Sequence, residues 1–151
     1  MTQEDKKLLL QDLCARLPYG VIVRHADYLI DSDGNYTGQF WYKRGYLYNI
    51  CRLDNMTTTI IESEGSDEEG YEHICDLERS LPYLCPMSSM TEEEWNDYKS
   101  TWKLIEHDLE DTYEPCIESF DWLNAHHFDY RGLIPKGLAI EVTKDNNPYE
   151  N

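Results

Sequence analysis

The spacing of apolar residues changes at Pro18, and no all-helical or all-strand fold accommodates both sides of that change. Before it, Leu9, Leu10, Leu13 and Leu17 recur at helical intervals, which places them on one face of a helix over 2–17. Thr2 is positioned to cap the first turn. Pro18 stops the helix, because the residue before a proline avoids the helical region. From 19 to 77 the period falls to two. Residues 19–25 open with Val21 and Val23 in alternation, and Asp33-Gly34, between 28–32 and 35–42, is a two-residue hairpin signal. Arg44-Gly45 reads as a second turn before a strand over 46–53, and Asp54-Asn55 as a third before the β-branched run 57–61. An acidic loop containing Gly and Ser follows over 62–70, and alternation resumes over 71–77. Short strands joined by tight turns imply a small antiparallel sheet, open or barrel-like.

Helical spacing returns after Pro82 and Pro86. Met90, Thr91, Glu94 and Trp95 form the clearest local signal in the chain. Thr91 and Glu94 fit a capping box, and Met90 with Trp95 fits the hydrophobic staple that accompanies one. The helix would present Trp95, Tyr98, Trp102, Ile105 and Leu109 on one stripe, with Trp95 and Trp102 buried. Pro115 suits the first position of a further helix, which would carry Ile117, Phe120, Leu123 and His127 on one side. Gly132, Pro135 and Gly137 end that pattern, 138–142 can return as a strand, and the polar stretch 144–151 reads as frayed. The expectation is a single α+β domain over 1–151: an N-terminal helix, a β-rich 19–77, a helical 91–128 holding two helices, and a strand or tail over 137–151.

Charge narrows the function. The 151 residues hold 30 acids and 13 bases, a net −17. That excludes a nucleic-acid binder working through a basic surface and disfavours docking on anionic membranes. The excess is local: residues 1–61 hold 7 acids and 7 bases, 62–114 hold 17 and 3, and 115–151 hold 6 and 3. The middle third therefore carries −14 of the −17. Solvated charge that maintains solubility is the ordinary reading. The sharper reading is a face for a basic partner, or an imitation of nucleic-acid phosphates. Its carboxylates would be Glu92, Glu93, Glu94, Asp97, Glu106, Asp108, Glu110 and Asp111, arrayed on the helix that Thr91 caps.

Five scattered cysteines without a C-x-x-C spacing suit reduced thiols in a cytoplasm. No basic start with a long apolar core marks an export signal, and no apolar run is long enough to span a bilayer. Among chemical constellations, His126, His127 and Asp129 stand out as potential metal ligands or an acid/base set. Adjacent histidines diverge by about 100° on a helix, however, and the H-E-x-x-H spacing of zinc proteases is absent. Asp31, Asp33 and Asn35 superficially resemble a calcium loop but lack its closing glutamate, and the hairpin explains them. Phosphate-loop, dinucleotide and nucleophile-elbow motifs are missing. The residues call for no cofactor and no metal. Trp41-Tyr42 and Tyr46 with Tyr48 offer rings for stacking, but Lys43 and Arg44 are too few to hold a nucleic-acid backbone.

Two phrases, PYLCPMSSMTEEE over 82–94 and FDWLNAHHFDYRGLIPKGLAIE over 120–141, with the shorter LPYGV after the first helix, resemble a group of small proteins from gut Bacteroidales, their phages and mobile elements. Members of the group usually carry a basic residue where this chain has Cys85. The resemblance implies an intracellular setting and a mobile-element origin, and it brings no activity or catalytic residue. The whole reading favours a non-enzymatic interaction or regulatory module of the cytoplasm, with an unidentified, basic protein as partner. The alternatives are a nucleic-acid-mimicking inhibitor of a basic protein, and an enzyme or metal protein centred on His126, His127 and Asp129.

Overall fold

The computed structural model describes residues 1–53, 56–63, 72–105 and 112–150. The first helix, α1 (Gln3–Arg16), begins where Thr2 caps it. Asp5 N–H donates to Thr2 Oγ1 at 3.1 Å and Thr2 N–H returns to Asp5 Oδ2 at 3.1 Å, so two end donors are satisfied reciprocally. Leu9 and Leu13 are fully buried, and Leu10 and Leu17 pack at the margin. A short 3-10 turn over Leu17–Tyr19 then leads through Gly20, which has φ 63°, into the sheet.

Strands β1 (Ile22–Ile30) and β2 (Tyr36–Leu53) form a long antiparallel hairpin around Asp33-Gly34. Asp31 closes the turn by accepting from the backbone N–H groups of Asp33 and Asn35, each at 2.9 Å. These bonds hold its carboxyl below the usual carboxylate range. Arg44-Gly45 is not a turn. Gly45 lies inside β2, paired with Val23 on one side and Ser63 on the other. A Cβ there would stand 2.5 Å from Glu62 O and 2.5 Å from Ile61 Cγ2, so the glycine serves close strand approach rather than reversal. The expected segments 19–25 and 28–32 likewise give one strand, Ile22–Ile30, instead of two.

β3 (Met56–Ser63) pairs with β2, and β4 (Glu72–Asp76) pairs with β3. The expected turn at Asp54-Asn55 and residues 64–70 of the expected acidic loop lie outside the described residues; Glu62 and Ser63 belong to β3. β5 (Leu81–Leu84) adds to the far side of β1. Sequence reading missed it, since a short segment containing Pro82 reads as a turn. With β8 (Ile140–Glu141) beyond β5, the order is β4-β3-β2-β1-β5-β8, an open sheet whose described edges are β4 and β8, so the barrel-like alternative does not hold. All its pairs are antiparallel except β5 with β8. A parallel pair needs a long crossover, and residues 85–139 supply it.

That crossover holds α2 (Glu92–Ser100), a small hairpin of β6 (Lys103–Ile105) with β7 (Thr112–Glu114), and α3 (Ile117–Ala125). The hairpin corrects the expected continuous helical stripe. α2 closes after its 9 residues because Thr101 Oγ1 donates to Tyr98 O at 2.6 Å while lying 2.8 Å from Ser119 Oγ on α3. The next residues, Lys103 to Ile105, then pair with a second extended segment. Leu109 lies outside the described residues.

Two apolar clusters result. Leu9 and Leu13 of α1 pack with Val21, Val23, Leu47, Ile61, Leu84, Leu133 and Leu138 against one sheet face. Tyr98, Leu123 and Phe128 form the second, with Trp102 and Trp122 at its edge. Trp95 departs from expectation: it stays 40% exposed, its ring 5.5 Å from Lys99 Nζ, while Tyr98 takes the buried place. Pro115 stands before the N-cap Cys116, whose N–H donates to Ser119 Oγ at 3.0 Å. Ile117 and Phe120 face outward and only Leu123 of that expected row is buried within α3. The chain end is docked rather than frayed at Tyr149. Its hydroxyl donates to Tyr83 O at 2.8 Å and accepts from Ile22 N–H at 3.3 Å.

Candidate functional site

The end of α3 is built by a backbone motif. His126 is the C-cap, His127 follows at φ 57°, and Phe128 N–H donates back to Leu123 O at 3.0 Å. His127 N–H donates to Asn124 O at 3.2 Å. These two bonds define a Schellman ending, with Phe128 and Leu123 making its apolar contact. Glycine usually takes the left-handed place; His127 occupies it here, its ring stacked on Tyr149 at 4.0 Å between centroids. His126 instead stacks on Trp122 at 3.8 Å, its Nδ1 lying 2.8 Å from Trp122 O. Asp129 gives both carboxylate oxygens to backbone: Leu133 N–H and Ile134 N–H each donate at 2.8 Å.

The three polar residues of this motif are therefore committed to three separate partners, a ring, a chain end and a turn. Among the described residues no group of His, Cys, Asp and Glu is arranged to hold a metal ion. Burial, with help from the Arg16 charge, lowers the His127 imidazole to about 4, so it is neutral near pH 7. Burial also pushes up the Cys85 thiol and the Tyr149 phenol. The segments 82–94 and 120–141 meet here: Cys85 N–H donates to His127 O at 2.9 Å and Asp129 N–H to Cys85 O at 2.8 Å.

Beneath this corner lies an ionic cluster that sequence reading missed. Asp12 and Arg16 are both fully buried on α1. Arg16 Nε donates to Asp12 Oδ2 at 2.8 Å and Arg16 Nη2 to Phe128 O at 2.7 Å. Arg131 Nη1 donates to the other oxygen, Asp12 Oδ1, at 3.1 Å. The available signal was the i, i+4 spacing of an acid and a base next to the leucine stripe. Periodicity does not say that such a pair turns inward.

The acidic helix is shorter than expected. Glu92, Glu93 and Asp97 are exposed on α2, while Glu94 is spent on the cap, its Oε2 accepting from Thr91 N–H at 2.7 Å. Because α2 ends at Ser100, no single helix arrays those carboxylates with the later ones. Glu106, Asp108, Glu110 and Asp111 lie outside the described residues.

Strand β2 has the opposite character. Its 18 residues include Lys43, Arg44 and Arg52 and no carboxylate. Phe40, Tyr42 and Tyr46 share one face by parity, Trp41 takes the other, and Tyr48 sits at the β-bulge opposite β3. All five rings are exposed, Tyr42 by 55% and Tyr48 by 61%. They already gather cations. Arg24 lies 4.3 Å over Tyr42, Arg79 5.3 Å over Phe40 and Lys43 Nζ 5.6 Å from the Trp41 centroid.

No protein-family model, curated protein or solved structure matches the chain. Among the described residues no helix is long and apolar enough to cross a membrane.

Proposed function

We propose that the protein is a non-enzymatic interaction module of the cytoplasm, and that β2 is the surface it offers to a basic protein partner. The exposure of Trp41, Tyr42, Tyr46 and Tyr48 on one carboxylate-free strand carries this reading. Rigid amphipathic rings give contact area at low entropic cost and anchor interfaces. Exposed ring faces also attract guanidinium and ammonium groups, as Arg24 and Arg79 illustrate within the chain. The net charge of −17 draws a basic partner toward the molecule and speeds encounter, an effect that weakens with salt. The phrase resemblance to proteins of gut Bacteroidales and their phages supports the intracellular setting. The structural commitments of His126, His127 and Asp129 weigh against an enzyme centred on them.

The test is site-specific photo-crosslinking in the host cell, with the probe at Tyr48 or at Glu93 on α2. A partner rich in Arg and Lys should be captured from position 48, and Trp41→Ser with Tyr42→Ser should abolish its capture. Capture from position 93 alone, or binding indifferent to both serine substitutions, overturns the assignment of β2.

A further inference from the structure

One carboxylate, Asp12, serves two guanidinium groups, and the two differ in what else they reach. Arg16 is fully buried and is also bound to Phe128 O. Arg131 keeps 26% of its side-chain surface. Its guanidinium is held in plane by Asp12 and by stacking 4.4 Å from the Tyr130 centroid. Arg131 lines an open groove of about 480 Å3 between the end of α1 and α3, together with Ala15, Ile117, Phe120, Asp121 and Asn124. Ile117 and Phe120 lie about one turn apart on α3, 76% and 43% exposed. Tyr130 is tied in place through its hydroxyl, which donates to Asn124 Oδ1 at 3.1 Å.

A planar cation fixed from behind, beside apolar side chains, is the arrangement that recognises a carboxylate next to an apolar group. Two arginines share the one carboxylate of Asp12, and the bond to Asp12 uses a single Arg131 donor. Asp121, at the groove wall, supplies an acceptor that a simple fatty or aromatic acid would not use but a peptide N–H would. The chain's own Tyr149 is docked elsewhere, against His127 and Tyr83.

We infer that this groove holds the C-terminal carboxylate of a partner polypeptide ending in an apolar residue. Arg131 takes the carboxylate, Ile117 and Phe120 take the last side chain, and Asp121 accepts from the last backbone N–H. This site stands on α1, α3 and Arg131 and is independent of the reading of β2.

The experiment titrates the full chain, labelled with 15N, with an N-acetylated tripeptide ending in leucine, as its free acid and as its amide. The free acid should shift the Arg131 Nε–H and the Ile117 and Phe120 amides, and the amide should bind about ten- to a hundredfold more weakly, the worth of a charged hydrogen bond. Arg131→Gln should bring the acid to the level of the amide. Since Arg131 also touches Asp12, Ile117→Glu gives a second variant at a fully surface position; it should abolish binding while leaving the spectrum of the free protein intact. Equal binding of acid and amide, shifts confined to other elements, no binding of either peptide, or undiminished binding by Ile117→Glu would each overturn the inference.

Discussion

Replacing Asp12 by asparagine tests the buried ionic cluster with almost no change of shape. The native carboxylate accepts from Arg16 on one oxygen and from Arg131 on the other. An amide keeps one acceptor and turns an N–H2 group toward one of the two guanidiniums. Arg131 is partly exposed and can move to water; Arg16 is fully buried and cannot. The amide oxygen can stay with Arg16, but that guanidinium then faces a neutral acceptor while its charge stays out of water. Breaking a buried pair from one side costs about 3–5 kcal/mol, which for a chain of this length is a fall in Tm of about 6–20 °C. Urea denaturation followed by circular dichroism and tryptophan fluorescence measures it. The double variant Asp12→Leu with Arg16→Met removes both charges, frees Arg131 to solvent and leaves one orphaned carbonyl, for about 1–3 kcal/mol. It should therefore be more stable than Asp12→Asn alone. Added salt should not rescue the single variant, because screening does not reach a fully buried charge. A loss under about 1 kcal/mol for Asp12→Asn, or a double variant no better than the single, would refute the reasoning.

Gly45→Ala should destabilise by about 1–3 kcal/mol through overpacking against Ile61 and the Glu62 backbone; an unchanged urea midpoint would mean that the strands do not approach closely there. His127 has a lowered folded value of about 4 against about 6.5 when unfolded, so the unfolded chain binds the extra proton between those values. Stability from this source is complete above about pH 6.5 and falls by on the order of 3 kcal/mol as pH drops to 4. His127→Asn, which tolerates the left-handed backbone, should lose that part of the pH slope, as stability curves on both proteins will report. Tyr149→Phe should cost about 1–3 kcal/mol by stranding the Tyr83 carbonyl and the Ile22 N–H, whereas a frayed tail would leave the midpoint unchanged. Thr91→Ala should cost about 0.5–2 kcal/mol, read by the same denaturation.

Local chemistry made several features of this fold legible. The cap at Thr91 needs only a hydroxyl and a carboxylate three residues apart, and the hairpin at Asp33-Gly34 needs only two residues that tolerate a tight reversal. The helix of the four leucines needs only its own period. Each is decided within a few residues, so it survives whatever surrounds it. Gly45 and the segment after Thr101 show the limit. A glycine beside a charged residue is a turn by local preference, and it became strand interior because Ile61 and Glu62 lie against it. Lys103 to Ile105 fit a helical stripe equally well until Thr112 to Glu114 offered a strand to pair with.

The sites divide in the same way. Composition alone determined that this chain is strongly acidic, that its excess charge sits in the middle third, and that β2 is rich in rings. Which carboxylates share a surface, and which rings meet water, depended on where α2 stopped and on which sheet positions the core covers. His126, His127 and Asp129 looked like one constellation because they are neighbours in the chain. The left-handed residue at His127 turns them toward different partners. Asp12 and Arg131 are 119 positions apart, and only the packing of α1 against the end of α3 brings them into one ionic cluster. Sequence order carries short-range geometry; a buried charge finds its partner through tertiary contact.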